Sequence, residues 1–415
     1  MEPLLYLTHR IPFPPNKGDK VRSFHLLKFL ATRASVHVGT FIDDPADVEH
    51  VPALRAHCAS LKAVRIDPHG ARMRSLAALF TREALSVRYY RNREMAEWVA
   101  DAVARHGIRK AVVFSSSMAQ FAIALPDVRT VVDFVDVDSA KWESYGQARP
   151  WPLSAIYERE GARLREYERD VSLATDASVF VTRAEADLFL ARAPECAARV
   201  RAAQNGVDAS YFSPDPMRAS PYGAGVVPLV FTGAMDYWPN VDAVAWFAQD
   251  VLPQLREAVP ALQFYIVGMQ PSPTVKALAR LGGVVVTGRV PDVRPYLQHA
   301  RAVVAPLRVA RGIQNKVLEA MAMGCAVVAS RCAAAGLTAR AGVDFAVSAE
   351  ESAPFTAAVM DALQPERAMT FGRSGRARVL ADYDWNTNLA PFAEFLADAA
   401  STNIEGGLAR RSHAQ

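Results

Sequence analysis

Cysteine is scarce. Cys58, Cys196, Cys325 and Cys332 are the only four in 415 residues. They are scattered, without the spacing of a zinc site or a disulfide framework, so neither kind of staple organises the fold. Cys325 heads an apolar run and reads as a small, reduced, buried residue. Long hydrophobic runs are also missing: none reaches the roughly 18–20 residues of a membrane span. The stretch Met1–Tyr6 is apolar but lacks the basic start of a signal peptide. The expectation is a soluble cytoplasmic protein, at most peripheral on the inner face of the cytoplasmic membrane. Neither sign of charge dominates. The 47 basic and 43 acidic residues leave +4, too balanced to imply nucleic acid as a partner. No Gly-x-Gly-x-x-Gly follows the first apolar strand and no Gly-x-x-x-x-Gly-Lys-Ser/Thr occurs. This argues against an NAD-dependent dehydrogenase and a P-loop kinase or ATPase.

What is present is a globular composition, 51% hydrophobic and 22% charged, long enough for two or three domains. In the first half, short apolar runs alternate with helical stretches. Strands are expected at 4–7, 36–41, 111–114, 130–135 and 178–182. Helices are expected at about 20–32, over most of 71–106, and at about 153–174. The texture changes at 214–228, where Pro214, Pro216, Pro221, Gly223, Gly225 and Pro228 read as a linker. Alternation then resumes, with strands expected at 230–231, 263–267, 284–286, 302–304, 326–328 and 345–347. Apolar strands alternating with helices imply parallel sheets covered on both faces. The fold class is therefore α/β, two doubly wound Rossmann-like domains at 1–213 and 229–383. A tail at 404–415 is polar and expected to be disordered.

Ligands of open parallel sheets bind beyond the C-terminal strand ends. Gly18, Gly233, Gly268 and Gly288 all follow expected strands. The most informative stretch is Gly312-Ile313-Gln314-Asn315-Lys316-Val317-Leu318-Glu319-Ala320-Met321-Ala322-Met323-Gly324, a loop glycine, a short helix and a closing glycine. Lys316 and Glu319 are one turn apart and share a helix face. A cation beside the free N–H groups of a helix N-terminus suits a phosphate. A carboxylate one turn later can accept from two vicinal hydroxyls. The unit looks built for a nucleoside diphosphate, although on its own a surface ion pair would read the same way.

At this point the residues resemble a family, the GT-B glycosyltransferases of glycosyltransferase family 4. The likeness rests on Pro12–Arg22, on Asn205-Gly206-Val207-Asp208 with Phe212 and Pro214, on Phe231–Asn240, and on the Lys-x-x-Glu-Ala-Met-Ala-x-Gly core at 316–324. Tyr383-Asp384-Trp385, ahead of the last helix, resembles the family as well. Pro14–Lys20 and Asp133–Ser139 are similar to sugar transferases of bacterial exopolysaccharide and exosortase (PEP-CTERM) loci. The resemblance implies two domains facing a cleft, with a last helix, about 384–400, crossing back to complete the first. It implies a retaining, metal-independent transferase. The nucleotide sugar, a uridine ahead of a guanosine diphosphate sugar, would be held mainly by the C-terminal domain. The acceptor would be a saccharide or a polyprenol-linked saccharide. No cofactor is implied beyond the donor.

Residue by residue, the resemblance gives Glu319 the ribose hydroxyls and Lys316 the diphosphate, helped by backbone N–H groups near Gly312 and Ile313. Arg289 and Val290 would lie beside the base. Gly233 lies in the donor site, and Gly18 would let the N-terminal loop approach the phosphates closely. There are departures. Eight positions before Glu319 stands Arg311, where many members have a second glutamate. Met235–Trp238 carries no cation, leaving Arg308, Arg311 or Lys316 to supply one. Where many members have a histidine, this chain reads Asp133-Phe134-Val135-Asp136-Val137-Asp138. Asp136 is nearest that position and is the candidate for catalysis beside Lys316. Asp133 or Asp138 is expected to cap a helix.

The acceptor or membrane side is expected to include Lys20, Arg22, Arg72, Arg74 and Arg82. Residues 62–93 hold eight cations against Asp67 and Glu83, with apolar residues between them. Such a segment can dock on anionic lipid, or be simply a solvated basic face. Two further functions stay open: a nucleotide-sugar 2-epimerase of the same architecture, and a non-catalytic binding module. Product analysis without acceptor separates the first from a transferase.

Overall fold

The computed structural model describes residues 1–125, 127–147, 150–310 and 312–397. The tail expected to be disordered, 404–415, and Arg311 lie outside the described residues. The chain forms two compact units, one of Met1–Gln204 with the chain from Leu389 onward, the other of Asn205–Asn388. The division falls at 204/205 rather than at 213/214. The Pro- and Gly-rich stretch 214–228 is no free tether but part of the second unit. Asp215 N donates to Gln298 Oε1 at 3.0 Å, and the Tyr222 hydroxyl donates to the Tyr296 carbonyl at 2.6 Å.

The first unit holds a sheet of seven strands: β1 (Pro3–Thr8), β2 (Ser35–Ile42), β3 (Ser60–Arg65), β4 (Lys110–Phe114), β5 (Arg129–Val135), β6 (Ala177–Phe180) and β7 (Val200–Ala202). Their order is β3-β2-β1-β4-β5-β6-β7. Every pairing is parallel. The inner strands are apolar on both faces because helices cover both faces, as the continuous runs at 4–7, 111–114 and 130–135 require. The two edge strands, β3 and β7, were not legible as strands. Ser60–Arg65 is half-buried and carries Lys62 and Arg65, and Val200–Ala202 is short and mostly exposed. Residues 71–106 are not one helical block. Helices at Pro68–Ser75, Leu85–Tyr89 and Arg93–His106 are separated by a 3₁₀ turn and loops. Asp67 caps the first of these and Asn92 the last, each through its side chain, so new helices start where the spacing alone suggested continuity.

The second unit repeats the plan with six strands: β8 (Val227–Thr232), β9 (Leu262–Val267), β10 (Val284–Gly288), β11 (Ala302–Ala305), β12 (Val327–Ser330) and β13 (Ala346–Ser348). Their order is β10-β9-β8-β11-β12-β13, again all parallel. In each sheet the winding reverses at the first strand, between β1 and β4 and between β8 and β11. A crevice opens beyond the C-terminal strand ends at such a reversal, and ligands of doubly wound folds bind there. The last helix, Trp385–Leu396, begins in the second unit and returns the chain to the first. There Arg129 Nε donates to the Phe395 carbonyl at 2.7 Å.

Candidate functional site

At the reversal of the second sheet, three sequence segments meet. β8 ends in Phe231-Thr232, and Gly233 follows it. The helix Asn315–Ala322 follows the loop after β11, and no side-chain hydrogen bond caps its start. Its Lys316 ammonium lies 4.2 Å from the centre of the Phe231 ring and donates to Asn240 Oδ1 at 2.6 Å. Asn240 is fixed in turn by its Nδ2, which donates to the Ala234 carbonyl at 2.8 Å. At the start of the helix, Asn205 Nδ2 donates to Asn315 Oδ1 at 3.2 Å. Segments around 205, 240 and 316, far apart in sequence, therefore converge on one helix terminus.

Backbone packing explains the glycines of this edge. A Cβ on Gly268, after β9, would sit 1.7 Å from the Gly233 carbonyl oxygen. No side chain fits there, so the loops after β8 and β9 press directly on each other. Gly312 has φ +62°, the left-handed region that favours glycine. Gly288 closes β10 and leads into Arg289, which is exposed, and Val290, which is half-buried. Ile313 is buried.

Lys316 and Glu319 are half-buried by exposed area, yet desolvation governs both. Burial pushes the Lys316 ammonium down to about 7, with Glu319 opposing the shift. Burial pushes the Glu319 carboxyl up to about 7, with Lys316 opposing it. Among the described residues, the only oxygen bonded to the Lys316 ammonium belongs to a neutral amide. The site thus holds a cation whose countercharge is incomplete among the described residues, at a helix start with no side-chain cap. That is the chemistry of an anion site.

The first sheet's edge is built differently. Arg10, just after β1, chelates Asp43 after β2, with Nη2 2.7 Å from Oδ2, and reaches Asp19 Oδ2 at 2.9 Å. Burial alone would raise Asp19, but His9 and Arg10 outweigh it and hold the carboxyl well below its usual range. At the end of β5, Val135 has φ +69° and Asp136 N donates to the Phe134 carbonyl at 2.9 Å. That is a strained γ-turn on a β-branched residue. It turns Asp136 off the sheet edge, where Oδ2 pairs with Lys141 at 2.7 Å and Oδ1 is buried without a hydrogen-bond partner among the described residues.

Several expectations need correction. Lys20 and Arg22 do not present charge to an acceptor or a membrane. Lys20 is 2% exposed and bonds both oxygens of Asp47 at 2.7 Å. Arg22 is 1% exposed and grips the fully buried Asp133, Nε to Oδ2 at 2.8 Å and Nη2 to Oδ1 at 3.1 Å. Asp133 therefore caps no helix but balances Arg22, and Asp138 opens the helix Asp138–Gln147. Arg308 is already held by Asp242, Nε to Oδ2 at 2.9 Å. Gly18 starts the helix Gly18–Ala31, and a Cβ there would meet nothing within 4 Å, so no protein packing requires the glycine. By contrast, Arg72, Arg74 and Arg82 are exposed, as are Met73, Leu76 and Phe80, the last 92% exposed. No ion pair engages those three arginines among the described residues, whereas Arg88 and Arg91 pair with Glu83 and Arg93 with Glu97.

Sequence reasoning passed over Asn240, His9, Arg10 and Asp19. Asn240 closes the Phe231–Asn240 segment, two residues past the Met235–Trp238 stretch that carries no cation. The useful signal was an amide, since the cation arrives from Lys316. Position alone could have found the others: His9 and Arg10 directly follow the first strand. Among the described residues, no group of three or more His, Cys, Asp or Glu side chains gathers as a metal site would require. No described helix is long and apolar enough to cross a membrane.

Comparison with known proteins adds the context. No curated protein matches the chain. Sucrose-phosphate synthase (tll1590) from Thermosynechococcus elongatus is 19% identical, with a TM-score of 0.70 over 95% of this chain and 98% of that one. Anabaena Alr3699/HepE, solved in complex with UDP-glucose, is 15% identical, with a TM-score of 0.68 over 95% and 99%. WaaG, a glycosyltransferase involved in lipopolysaccharide biosynthesis, is 18% identical, with a TM-score of 0.65 over 95% and 99%. Residues 227–365 match the family model described as "Glycosyl transferases group 1". The chain thus has the two-domain α/β fold of GT-B glycosyltransferases, and its second unit carries the group 1 signature.

Proposed function

We propose that this protein is a glycosyltransferase that takes a sugar from a nucleoside diphosphate sugar and passes it, with retention and without a metal ion, to a saccharide or polyprenol-linked saccharide. One observation carries the reading: Lys316, held by the neutral Asn240 at a side-chain-uncapped helix start, with Glu319 one turn on, at the winding reversal of the second sheet. A diphosphate completes the countercharge of Lys316, and Glu319 accepts from the two ribose hydroxyls. Arg289 and Val290 lie beside the base, and the Gly312–Ile313 backbone adds N–H donors. The leaving diphosphate gains negative charge as the glycosidic bond breaks. A fixed cation and aligned N–H groups stabilise that charge more in the transition state than in the ground state. On the first unit, Asp136 orients the acceptor hydroxyl. Uridine is the favoured base, and exopolysaccharide or cell-surface glycan synthesis is the setting that fits such an acceptor. The exposed Arg72, Arg74 and Arg82, with Met73, Leu76 and Phe80 among them, fit reversible contact with an anionic membrane.

Calorimetry with a panel of nucleoside diphosphates tests the donor half. Wild type should bind UDP best, and Glu319→Ala should weaken it by about 1.5–3 kcal/mol, the range for hydrogen bonds to a charged group. Asp136→Asn should leave that affinity unchanged while transfer falls by orders of magnitude. Equal binding of every diphosphate by wild type and Glu319→Ala would refute the assignment. Conversion of the donor in the absence of acceptor would favour an epimerase.

A further inference from the structure

The winding reversal of the first sheet, between β1 and β4, has its own unexplained side chain. His9 is the first residue after β1. Its ring lies parallel to Phe114 at the end of β4, with centroids 5.8 Å and planes 5° apart, and Tyr90 meets it edge-on at 5.8 Å. Nε2 is 3.5 Å from Asp19 Oδ2, and Asp19 is itself fixed by Arg10. A carboxylate facing Nε2 favours the proton on that nitrogen, which leaves Nδ1 as an acceptor. His9 Nδ1 is buried and has no hydrogen-bond partner among the described residues.

Asp136 Oδ1, beyond β5, is in the same condition, and β5 is only one strand past β4. Buried polar atoms are nearly always paired, so two orphans on one sheet edge call for a cause. Both are acceptors, so both lack donors. The backbone around them is strained as well. Ser115, at the end of β4, has φ +77°, and Val135, just before Asp136, has φ +69°. Strain of this kind persists where the surrounding structure enforces it, commonly at ligand sites.

We propose that His9 is an acceptor-binding residue: its Nδ1 takes a hydrogen bond from a hydroxyl of a saccharide bound at the C-terminal edge of the first sheet, and Asp136 Oδ1 takes another. The inference rests on the transferase reading for the class of ligand. A neutral polyol fits this edge better than an anion, because Arg10 and Lys141 already have carboxylates and both orphan atoms would repel negative charge. Asp19 and Arg10 act as positioning residues that hold the imidazole tautomer.

The test uses the full chain. An array of bacterial surface oligosaccharides, probed without nucleotide, selects the tightest ligand for wild type. Calorimetry then compares that oligosaccharide and UDP on wild type, His9→Phe and His9→Asn. His9→Phe keeps the stack on Phe114 but has no ring nitrogen. It should weaken the oligosaccharide at least tenfold and leave UDP within twofold. His9→Asn, whose amide oxygen can stand near Nδ1, should recover part of the loss. Histidine-labelled ¹⁵N spectra of wild type should show Nδ1 of His9 moving when the oligosaccharide is added. A loss below tenfold in His9→Phe with no Nδ1 shift, an equal loss for UDP, or an array with no bound oligosaccharide would each overturn the proposal. Failure of wild type to bind any nucleoside diphosphate would instead refute the donor assignment, because the saccharide arm is read without nucleotide.

Discussion

The two sheets share one plan and use it in opposite ways. Each reverses at its first strand and presents loops at its C-terminal edge. In the first unit the cations near that edge are neutralised by carboxylates: Arg10 by Asp43 and Asp19, Lys20 by Asp47, Arg22 by Asp133, Lys141 by Asp136. In the second, Lys316 is bonded to an amide oxygen and its edge is lined with glycine backbone. Paired cations hold a fold in register. A cation with an incomplete partner can take up the charge of a bound anion. Cations that look alike in sequence are sorted by what they face.

The contrast can be broken most directly by removing one cation of each kind. Arg22→Ala leaves Asp133 buried and unpaired, and should cost the first unit about 3–5 kcal/mol in chemical denaturation. Lys316→Met removes a desolvated charge whose neutral partner survives. It should leave the second unit's stability unchanged or higher while UDP binding is lost. Equal destabilisation by the two substitutions would erase the distinction.

A pH series sharpens it. A phosphate at Lys316 favours the ammonium, so binding raises a free-state value near 7 and takes up a proton above that pH. Affinity should then fall as pH rises, by up to about tenfold, or 1.4 kcal/mol, per unit. Ribose hydroxyls favour the carboxylate of Glu319, so binding lowers its free-state value near 7 and releases a proton below that pH. Affinity should fall there too, giving a maximum near neutrality. Calorimetry in buffers of different ionisation enthalpy would show uptake on one side and release on the other. Glu319→Gln should lose the acid limb only. The first unit should contribute no such dependence through Asp19, which is held far below this range.

The smallest effect concerns exposed cations that no ion pair engages among the described residues. Arg72, Arg74 and Arg82 should each contribute about 1 kcal/mol to binding of anionic vesicles at low salt. Changing all three to Glu should abolish flotation with such vesicles and leave UDP affinity intact. Unchanged flotation would mark the segment as an ordinary solvated face.

Much of this was legible in the residues, for identifiable reasons. The inner strands show as apolar runs because both their faces are covered, and the Lys316–Glu319 unit shows because its parts lie within one helical turn. The edge strands β3 and β7 lack that covering and lack the signal. Arg22 and Lys20 were misplaced because their partners, Asp133 and Asp47, lie 111 and 27 residues away, and spacing carries no trace of such pairs. His9 could have been noted from its position after the first strand, but its partners Asp19, Tyr90 and Phe114 come together only in the folded sheet. The 214–228 stretch had the composition of a linker, but its Tyr222 and Arg218 found partners at Tyr296 and Ser213.

The helix at Trp385–Leu396 gives the chain an order of assembly. The second unit is one continuous stretch, whereas the first is completed only by residues from Leu389 onward. On a ribosome adding about 5–20 residues per second, the 184 residues from 205 to 388 take roughly 10–40 s to make. Throughout that interval the first sheet exists without its closing helix, and Arg129 still waits for the Phe395 carbonyl. The unit synthesised first is therefore the unit finished last. A ribosome that stalls late would release a chain whose second unit is whole and whose first is not.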